Sequence, residues 1–369
     1  MKGKIGVGII GIELGRGWAA TAHVPALRAL PEFDVVAVST RRRATAEAAA
    51  HAFGIPNAFD NHSELVKHPD VDVVVVTVKV PHHLELVSAA ISAGKHVYCE
   101  WPLGNGLVEA ANMAEQVRRA RVRAVVGLQA RMAPVVHYVH ALVREGYVGD
   151  VLSTTLIGSG MNWAAQVDPA TAYIADKANG ATMLSIPMGH TVDALCHCLG
   201  EFQSLSATMA IRQPFMTRSD TGERLLKTAH DQVAISGVLE NGAVASVHYR
   251  SGVSRGVKLL WEINGTKGDL QVTAAGGHGQ ISDLSLAGAC GDDRSLRPML
   301  VPPEHRWVSA ELSGPAVNVA QVYARFADDL RDGSHLCPDF EDALRRHRMI
   351  AAIEESADSR WRLSLASSV

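Results

Sequence analysis

The chain reads as an α/β protein in two parts: a doubly wound parallel sheet of the Rossmann kind, then an α+β domain on a large, open, mostly antiparallel sheet. Three observations predict this. Short β-branched runs alternate with helical patterns in the first third, as βαβ units require. Further on the strands lengthen and alternate apolar with polar residues, the pattern of a sheet with one solvated face. Hairpin turn signals, Glu240-Asn241-Gly242 and Asn264-Gly265-Thr266-Lys267-Gly268, separate those strands. At 369 residues the chain suits two domains, placed at 1–130 and 131–369.

In chain order, 4–11 is an apolar run ending in glycine, a buried parallel strand. A helical pattern follows from Trp18 to Leu30, then a second strand at Val35–Val38 and an alanine-rich helix over 43–53. Val71–Thr77 is a strongly β-branched strand, read as the third. A helix from His83 to Ala93 stops at Gly94, which supplies a left-handed C-cap. The strand His96–Glu100, a helix over 107–120 and the strand Ala124–Leu128 complete the first domain. The second opens with a helix over 133–145. Its strands are Asp231–Leu239, Gly242–Tyr249, Leu259–Asn264 and Leu270–Val272. Residues 273–300, rich in Gly, Ala, Ser and Asp, read as a mobile loop or weak strands. Helices over 316–332 and 339–356 end the chain.

Composition narrows the function. Hydrophobic residues at 47% and charged ones at 20% suit a globular protein with buried cores. With 35 Lys+Arg against 38 Asp+Glu no basic face is implied, so nucleic acid is not an expected partner. No run reaches the roughly 20 apolar residues of a membrane span, and no signal peptide is apparent. Cys99, Cys196, Cys198, Cys290 and Cys337 are scattered and odd in number, which points to reduced thiols and a cytoplasmic location. No metal site is expected, since Cys196 and Cys198 at i and i+2 on a helix face different ways.

A literal G-x-G-x-x-G at Gly6, Gly8 and Gly11 lies inside the first strand, where it cannot cradle a phosphate. The better phosphate loop is Gly11-Ile12-Glu13-Leu14-Gly15-Arg16-Gly17 at the strand-to-helix turn. The second strand ends Ser39-Thr40-Arg41-Arg42-Arg43, with no acid to bind ribose hydroxyls. Hydroxyls and guanidinium groups suit a 2′-phosphate, so NADP is expected over NAD.

Further segments carry a resemblance. They are the strand at 71–77, His83, Ala93-Gly94-Lys95-His96-Val97, Glu100-Trp101-Pro102 and Gly189-His190-Thr191-Val192-Asp193. With them the chain resembles the Gfo/Idh/MocA oxidoreductases over nearly its whole length. Gly17-Trp18-Ala19, Thr21-Ala22-His23-Val24-Pro25-Ala26, Leu128-Gln129-Ala130-Arg131 and Gly146-Tyr147-Val148-Gly149-Asp150 place it nearest the Gal80-like branch. The cofactor set then expected is Gly11, Gly15, Arg16, Gly17, Trp18, Ser39, Thr40, Arg41, Val78, Lys79, His83, Glu100, Trp101, Pro102, Gln129 and Arg131.

The resemblance implies hydride transfer at a sugar or polyol carbon, with proton transfer by a Lys-Asp-His set. Here the lysine position is Trp101 and the aspartate position is Ile186, and only His190 remains. His190 is the expected acid/base, because an imidazole ordinarily titrates near neutrality. Lys79 and Tyr173 are further catalytic candidates. Trp163, Lys177, His190 and Asp193 are candidates for the substrate, a small sugar-like molecule. An NADP-binding regulator acting through a protein partner is the alternative, and a lyase or hydrolase using NAD(P) transiently is a third reading. Family analogy implies a homo-dimer or higher homo-oligomer through the open sheet.

Overall fold

The computed structural model describes residues 3–365. The chain divides into two compact units, one built on the chain up to Gln129 together with Trp307–His347, the other on Ala130–Arg306 and the chain from Arg348 on.

In the first unit six strands form one parallel sheet: β1 (Ile5–Ile10), β2 (Phe33–Ser39), β3 (Asn57–Phe59), β4 (Val73–Val76), β5 (His96–Cys99) and β6 (Ala124–Val126). The helices between them are α1 (Val24–Arg28, preceded by a wide helical turn at Ala19–His23), α2 (Arg43–Ala52), α3 (His62–Lys67), α4 (His83–Ser92) and α5 (Leu107–Arg119). The order is β3-β2-β1-β4-β5-β6. All four valines of β4 are sealed from solvent, as a strand covered on both faces requires. The order reverses between β1 and β4, and ligands of such sheets sit beyond the carboxyl ends at that point.

Two elements of this unit were not expected: β3 and α3. The strand read as the third is therefore β4. The three residues of β3 are only half-buried at the sheet edge, too short a run to carry a period. The glycines inside β1 have a packing role, for a Cβ on Gly6 would lie 1.8 Å from the Asp70 carbonyl oxygen.

The segment from Trp307 also packs here, so the continuous second domain expected over 131–369 is interrupted. The Tyr323 hydroxyl meets His23 Nδ1 at 2.7 Å, and Val126 N donates to Pro338 O. Burying Tyr323 and Phe326 against the Rossmann core holds the segment to this unit.

The second unit opens with α6 (Pro134–Arg144), then β7 (Val151–Ser159), β8 (Gln166–Val167) and α7 (Gly189–Leu199). The later strands are β9 (Phe202–Ala210), β10 (Phe215–Arg218), β11 (Arg224–Leu226), β12 (Gln232–Leu239), β13 (Val244–Arg250), β14 (Leu259–Gly265), β15 (Gly268–Ala274), β16 (Leu284–Cys290), β17 (Arg297–Met299) and β18 (Leu363–Ser364). Nine of them form one sheet in the order β17-β16-β15-β14-β7-β13-β12-β9-β18. Only β7–β13 is a parallel pair, so the sheet is mostly antiparallel as expected. Both expected hairpins, β12–β13 and β14–β15, are present.

The central β7 and the long β9 were not read from the sequence. Their serines and threonines, from the buried Thr154 and Ser159 to the exposed Thr208, dilute the apolar alternation. Residues 284–290 and 297–299 are strands rather than loop. The last two helices are α8 (Ala316–Asp332) and α9 (Phe340–Ser359). No helix among the described residues is long and apolar enough to cross a membrane.

Candidate active site

In the first unit β1 delivers the chain to Gly11, whose φ of +98° a side chain rarely adopts. A Cβ there would also lie 2.5 Å from Val78 Cγ1, beyond β4. Gly15 and Gly17 are likewise left-handed, at +71° and +90°. The turn between them is exposed, and Arg16 bends back onto Glu13 at 2.6 Å. An open glycine turn running into a helical turn presents backbone N–H groups to an anion. Among the buried polar atoms of this unit without a hydrogen-bond partner are Trp18 Nε1 beside the loop and Gln129 Oε1 after β6. Orphaned groups of this kind, with the glycine cradle, fit a nicotinamide dinucleotide.

At the end of β2, Ser39 is buried, while Thr40 Oγ1 turns to Arg42 O at 2.9 Å and Thr45 Oγ1 at 2.6 Å. Arg41 is exposed, and Arg43 is paired with Glu47 at 2.7 Å. No carboxylate ends this strand.

The end of β4 and the Glu100-Trp101-Pro102 turn are pinned together by His83. Its ring is buried, with Nε2 3.0 Å from Val78 O and Nδ1 2.9 Å from Pro102 O. Burial lowers its pKa, against the backbone carbonyls on both ring nitrogens, which raise it. These contacts fix two loops. Lys79, one residue on from Val78, is exposed.

Glu100 lies over Gly127, where a Cβ would come within 2.7 Å of its carboxylate. Its Oε1 accepts from His23 Nε2 at 2.9 Å, and His23 Nδ1 lies 2.7 Å from the Tyr323 hydroxyl. Trp101 is buried, follows Glu100 into a cis peptide bond with Pro102, and packs against His347 with ring centroids 4.8 Å apart and planes inclined at 49°. His347 of α9 was not singled out from the sequence. Burial, with His83 nearby, lowers its pKa to about 4, and its Nε2 has no hydrogen-bond partner.

In the second unit Arg131 and Asp193 form a buried bidentate pair, at 2.7 and 2.5 Å. The sequence reading assigned one to cofactor and the other to substrate, yet each is the other's counter-charge. Trp163 was expected to stack on a sugar. It is instead buried, with φ of +59°, and its indole N–H donates to Ala181 O at 3.1 Å. Its carbonyl accepts from Lys227, which pairs with Asp231 at 2.8 Å inside the core. Tyr173 is half-buried, which raises its pKa, and Lys177 is exposed.

His190 lies in the first turn of α7 and is only 2% exposed. Its Nδ1 is buried without a hydrogen-bond partner. Burial, and then His278, lowers its pKa to about 3. The expectation of a near-neutral imidazole is thus corrected: stripped of water, the charged form has no anion to replace it. Ile186, four residues before, offers none.

His278 and Gln280, both buried, come from Gly276-Gly277-His278-Gly279-Gln280. The sequence reads as a mobile loop or weak strands here. A histidine inside a glycine run was the available signal. Among the described residues no group of His, Cys, Asp or Glu is arranged to hold a metal.

Comparison with known proteins follows this division. Residues 5–128 match the family model GFO_IDH_MocA, described as an oxidoreductase family with an NAD-binding Rossmann fold. Residues 134–274 match that of the Gal80p C-terminal domain. Dehydrogenase AclE of Aspergillus oryzae is 31% identical over 97% of this chain and 98% of its own. The galactose/lactose metabolism regulatory protein GAL80 of Kluyveromyces lactis is 30% identical over 76% of this chain and 66% of its own. A levoglucosan dehydrogenase, in complex with NADH and levoglucosan, shares the fold at a TM-score of 0.85 and 23% identity, over 99% of this chain and 100% of that one.

Proposed function

The chain belongs to the Gfo/Idh/MocA oxidoreductase family, in its Gal80-like branch, and on that premise we propose that it is an NADP-preferring oxidoreductase acting on a small uncharged hydroxyl or carbonyl compound, a carbohydrate or polyol. The carrying observation is His190, a sealed neutral imidazole with an unpartnered nitrogen. When bound, the nicotinamide supplies the hydride acceptor or donor. The chain's own residues do the rest. The Gly11–Gly17 turn would hold the pyrophosphate, and the exposed Arg41, at the strand end carrying Ser39 and Thr40, would meet a 2′-phosphate. His190 takes the proton of a substrate hydroxyl or donates a hydrogen bond to a carbonyl. Lys79 and Tyr173 stand as auxiliary proton donors, and Lys177 as a substrate contact. The Trp101 indole carries no titratable proton and serves as an apolar wall.

Two buried cations of the second unit, Arg131 and Lys227, already face Asp193 and Asp231, which supports an uncharged substrate. Homo-dimerisation through the solvent-facing side of the nine-stranded sheet, bearing Ala234, Ser236, Val244 and Ser246, belongs to the same proposal.

One observation favours a second reading. Trp101 and Ile186 fill the positions at which the family enzymes carry lysine and aspartate, which suits an NADP-binding regulator acting through a protein partner, and GAL80 is a relative. A turnover screen separates the two. Protein with NADP⁺ or NADPH is offered sugars, polyols, ketones and imines while nicotinamide absorbance is followed. Turnover that collapses in His190→Ala supports the enzyme; tight NADP binding with no turnover on any compound overturns it. NADP and NAD titrated side by side, with Arg41→Ala, test the preference: equal affinities in the native protein sink it.

A further inference from the structure

A buried ammonium is stable only where its charge and its protons are answered. Lys227 is such a group: its side chain is wholly sealed in the second unit, and its Nζ lies 2.8 Å from Asp231 Oδ2. Asp231 is itself fixed by the backbone, accepting from Arg212 N and Gln213 N, both at 2.8 Å. Apolar residues of like volume often replace a buried ion pair at no loss of stability, so stability alone is a poor reason for this one. What the pair adds is direction. The ammonium also donates to the carbonyl oxygen of Trp163, at 3.1 Å.

Trp163 needs that hold. Its φ is +59°, and Met161, two residues before, is at +58°. Bulky residues keep a left-handed backbone only where the surroundings over-determine it, and such places cluster at ligand clamps. Further bonds tie the same turn. The Trp163 indole N–H donates to Ala181 O at 3.1 Å. Met161 N donates to Gly252 O at 3.0 Å, and Gly252 N to Asn162 O at 2.9 Å. Trp163 is buried by this arrangement, whereas Met161 and Asn162 are exposed.

The turn stands at the His190 end of its unit. His278 Nε2 lies 2.5 Å from Gly160 O. A Cβ on Gly276 would be 3.7 Å from Met161 Sδ, and one on Gly279 would be 3.1 Å from Oγ1 of Thr191, the residue after His190. The Tyr249 hydroxyl joins Thr191 Oγ1, at 2.7 Å, to Gly277 O, at 3.2 Å. Contacts therefore run from the strained turn through 276–279 to the first turn of α7.

We infer that Lys227 is a positioning residue of the substrate site: held by Asp231, its ammonium fixes the Met161–Trp163 turn, and the exposed Met161 and Asn162 side chains form the site's rim. The thioether lies against the carbon skeleton of an uncharged substrate, and the amide meets a hydroxyl. The rim rests on the oxidoreductase reading for its substrate, but the rigidity of the turn is a property of the protein alone.

The test is hydrogen exchange by ¹H–¹⁵N NMR of the full chain, with the Trp163 indole assigned by its loss in Trp163→Phe. Lys227→Met alone strands the Asp231 carboxylate, so it is combined with Asp231→Asn, which removes both charges and keeps an acceptor for Arg212 N. This double variant is expected to melt cooperatively. Its Trp163 indole N–H and the amides of Met161 and Gly252 exchange about tenfold faster or more, while Ile235 and Val247, paired in the middle of β12–β13, are unchanged. Lys227→Gln, one atom too short to reach Trp163 O, gives the same result and serves if the double variant does not fold. Unchanged protection of the turn in a folded variant overturns the inference. With a compound that turns over, the double variant raises KM about tenfold with less change in kcat. A loosened turn with an unchanged KM overturns the rim. A loosened turn in a protein that turns over nothing defeats the oxidoreductase reading and leaves the tether standing.

Discussion

Trp101 and His190 are two residues of one motif set, and their surroundings divide their roles. The indole of Trp101 is buried against His347 and carries no titratable charge, so it offers no proton donor of the kind a lysine would. His190 keeps an unpartnered nitrogen, and general acid–base groups contribute roughly 10² to 10⁴ in rate. We therefore expect His190→Ala to lower kcat about a hundredfold or more while NADP affinity, by fluorescence titration, is unchanged. Arg131 and Asp193 give a stability prediction of similar sharpness. Removing one member of a buried pair strands the other charge, at about 3–5 kcal/mol. Arg131→Ala should lower the urea midpoint accordingly; a loss under about 1 kcal/mol would mean that Asp193 is held by other groups.

The phosphate-loop element separates two kinds of glycine that look alike in the sequence. Gly6 sits in β1 against the Asp70 carbonyl, whereas Gly11 is left-handed and touches Val78. Gly6→Val is expected to prevent folding, seen as loss of soluble protein and of a cooperative melt. Gly15→Val, in an exposed turn with open space around its Cβ, is expected to keep the fold and weaken NADP binding at least tenfold. A Gly15→Val variant that binds NADP normally would remove this turn from the cofactor site. The strand boundary at Ile10 puts Gly6 and Gly8 inside β1 and Gly11, Gly15 and Gly17 beyond it.

Across the whole molecule buried histidines with lowered pKa values link stability to pH, His83 and His347 in the first unit, His190 and His278 in the second. His347 titrates at about 4 and His190 at about 3, both below the ordinary value of 6.5 because burial disfavours the charged ring. Between pH 6.5 and these values the unfolded chain binds protons that the folded chain refuses. Stability therefore falls as pH falls through this window and is not affected by these groups above it. Each contributes a slope of up to about 1.4 kcal/mol per pH unit. His347→Gln should flatten the dependence of unfolding free energy between pH 6 and 4.5 by up to one proton, read from urea melts at several pH values. An unchanged slope would show that His347 charges without unfolding the chain.

Local pattern by itself determined the parallel sheet, the hairpins, the Gly11–Gly17 turn and the acid-free end of β2, because each rests on neighbours in the chain: β-branched runs, turn residues, a strand-to-helix boundary. The motif around His190 was legible for the same reason. Only the tertiary structure decided what surrounds these residues. The pairing of Arg131 with Asp193, the packing of Trp101 against His347, the burial of Trp163 and the tie of His278 to Gly160 join positions 62, 246, 18 and 118 residues apart in the chain. Desolvation and charge compensation depend on these distant partners, and so the protonation of His190 belongs to the fold rather than to its motif.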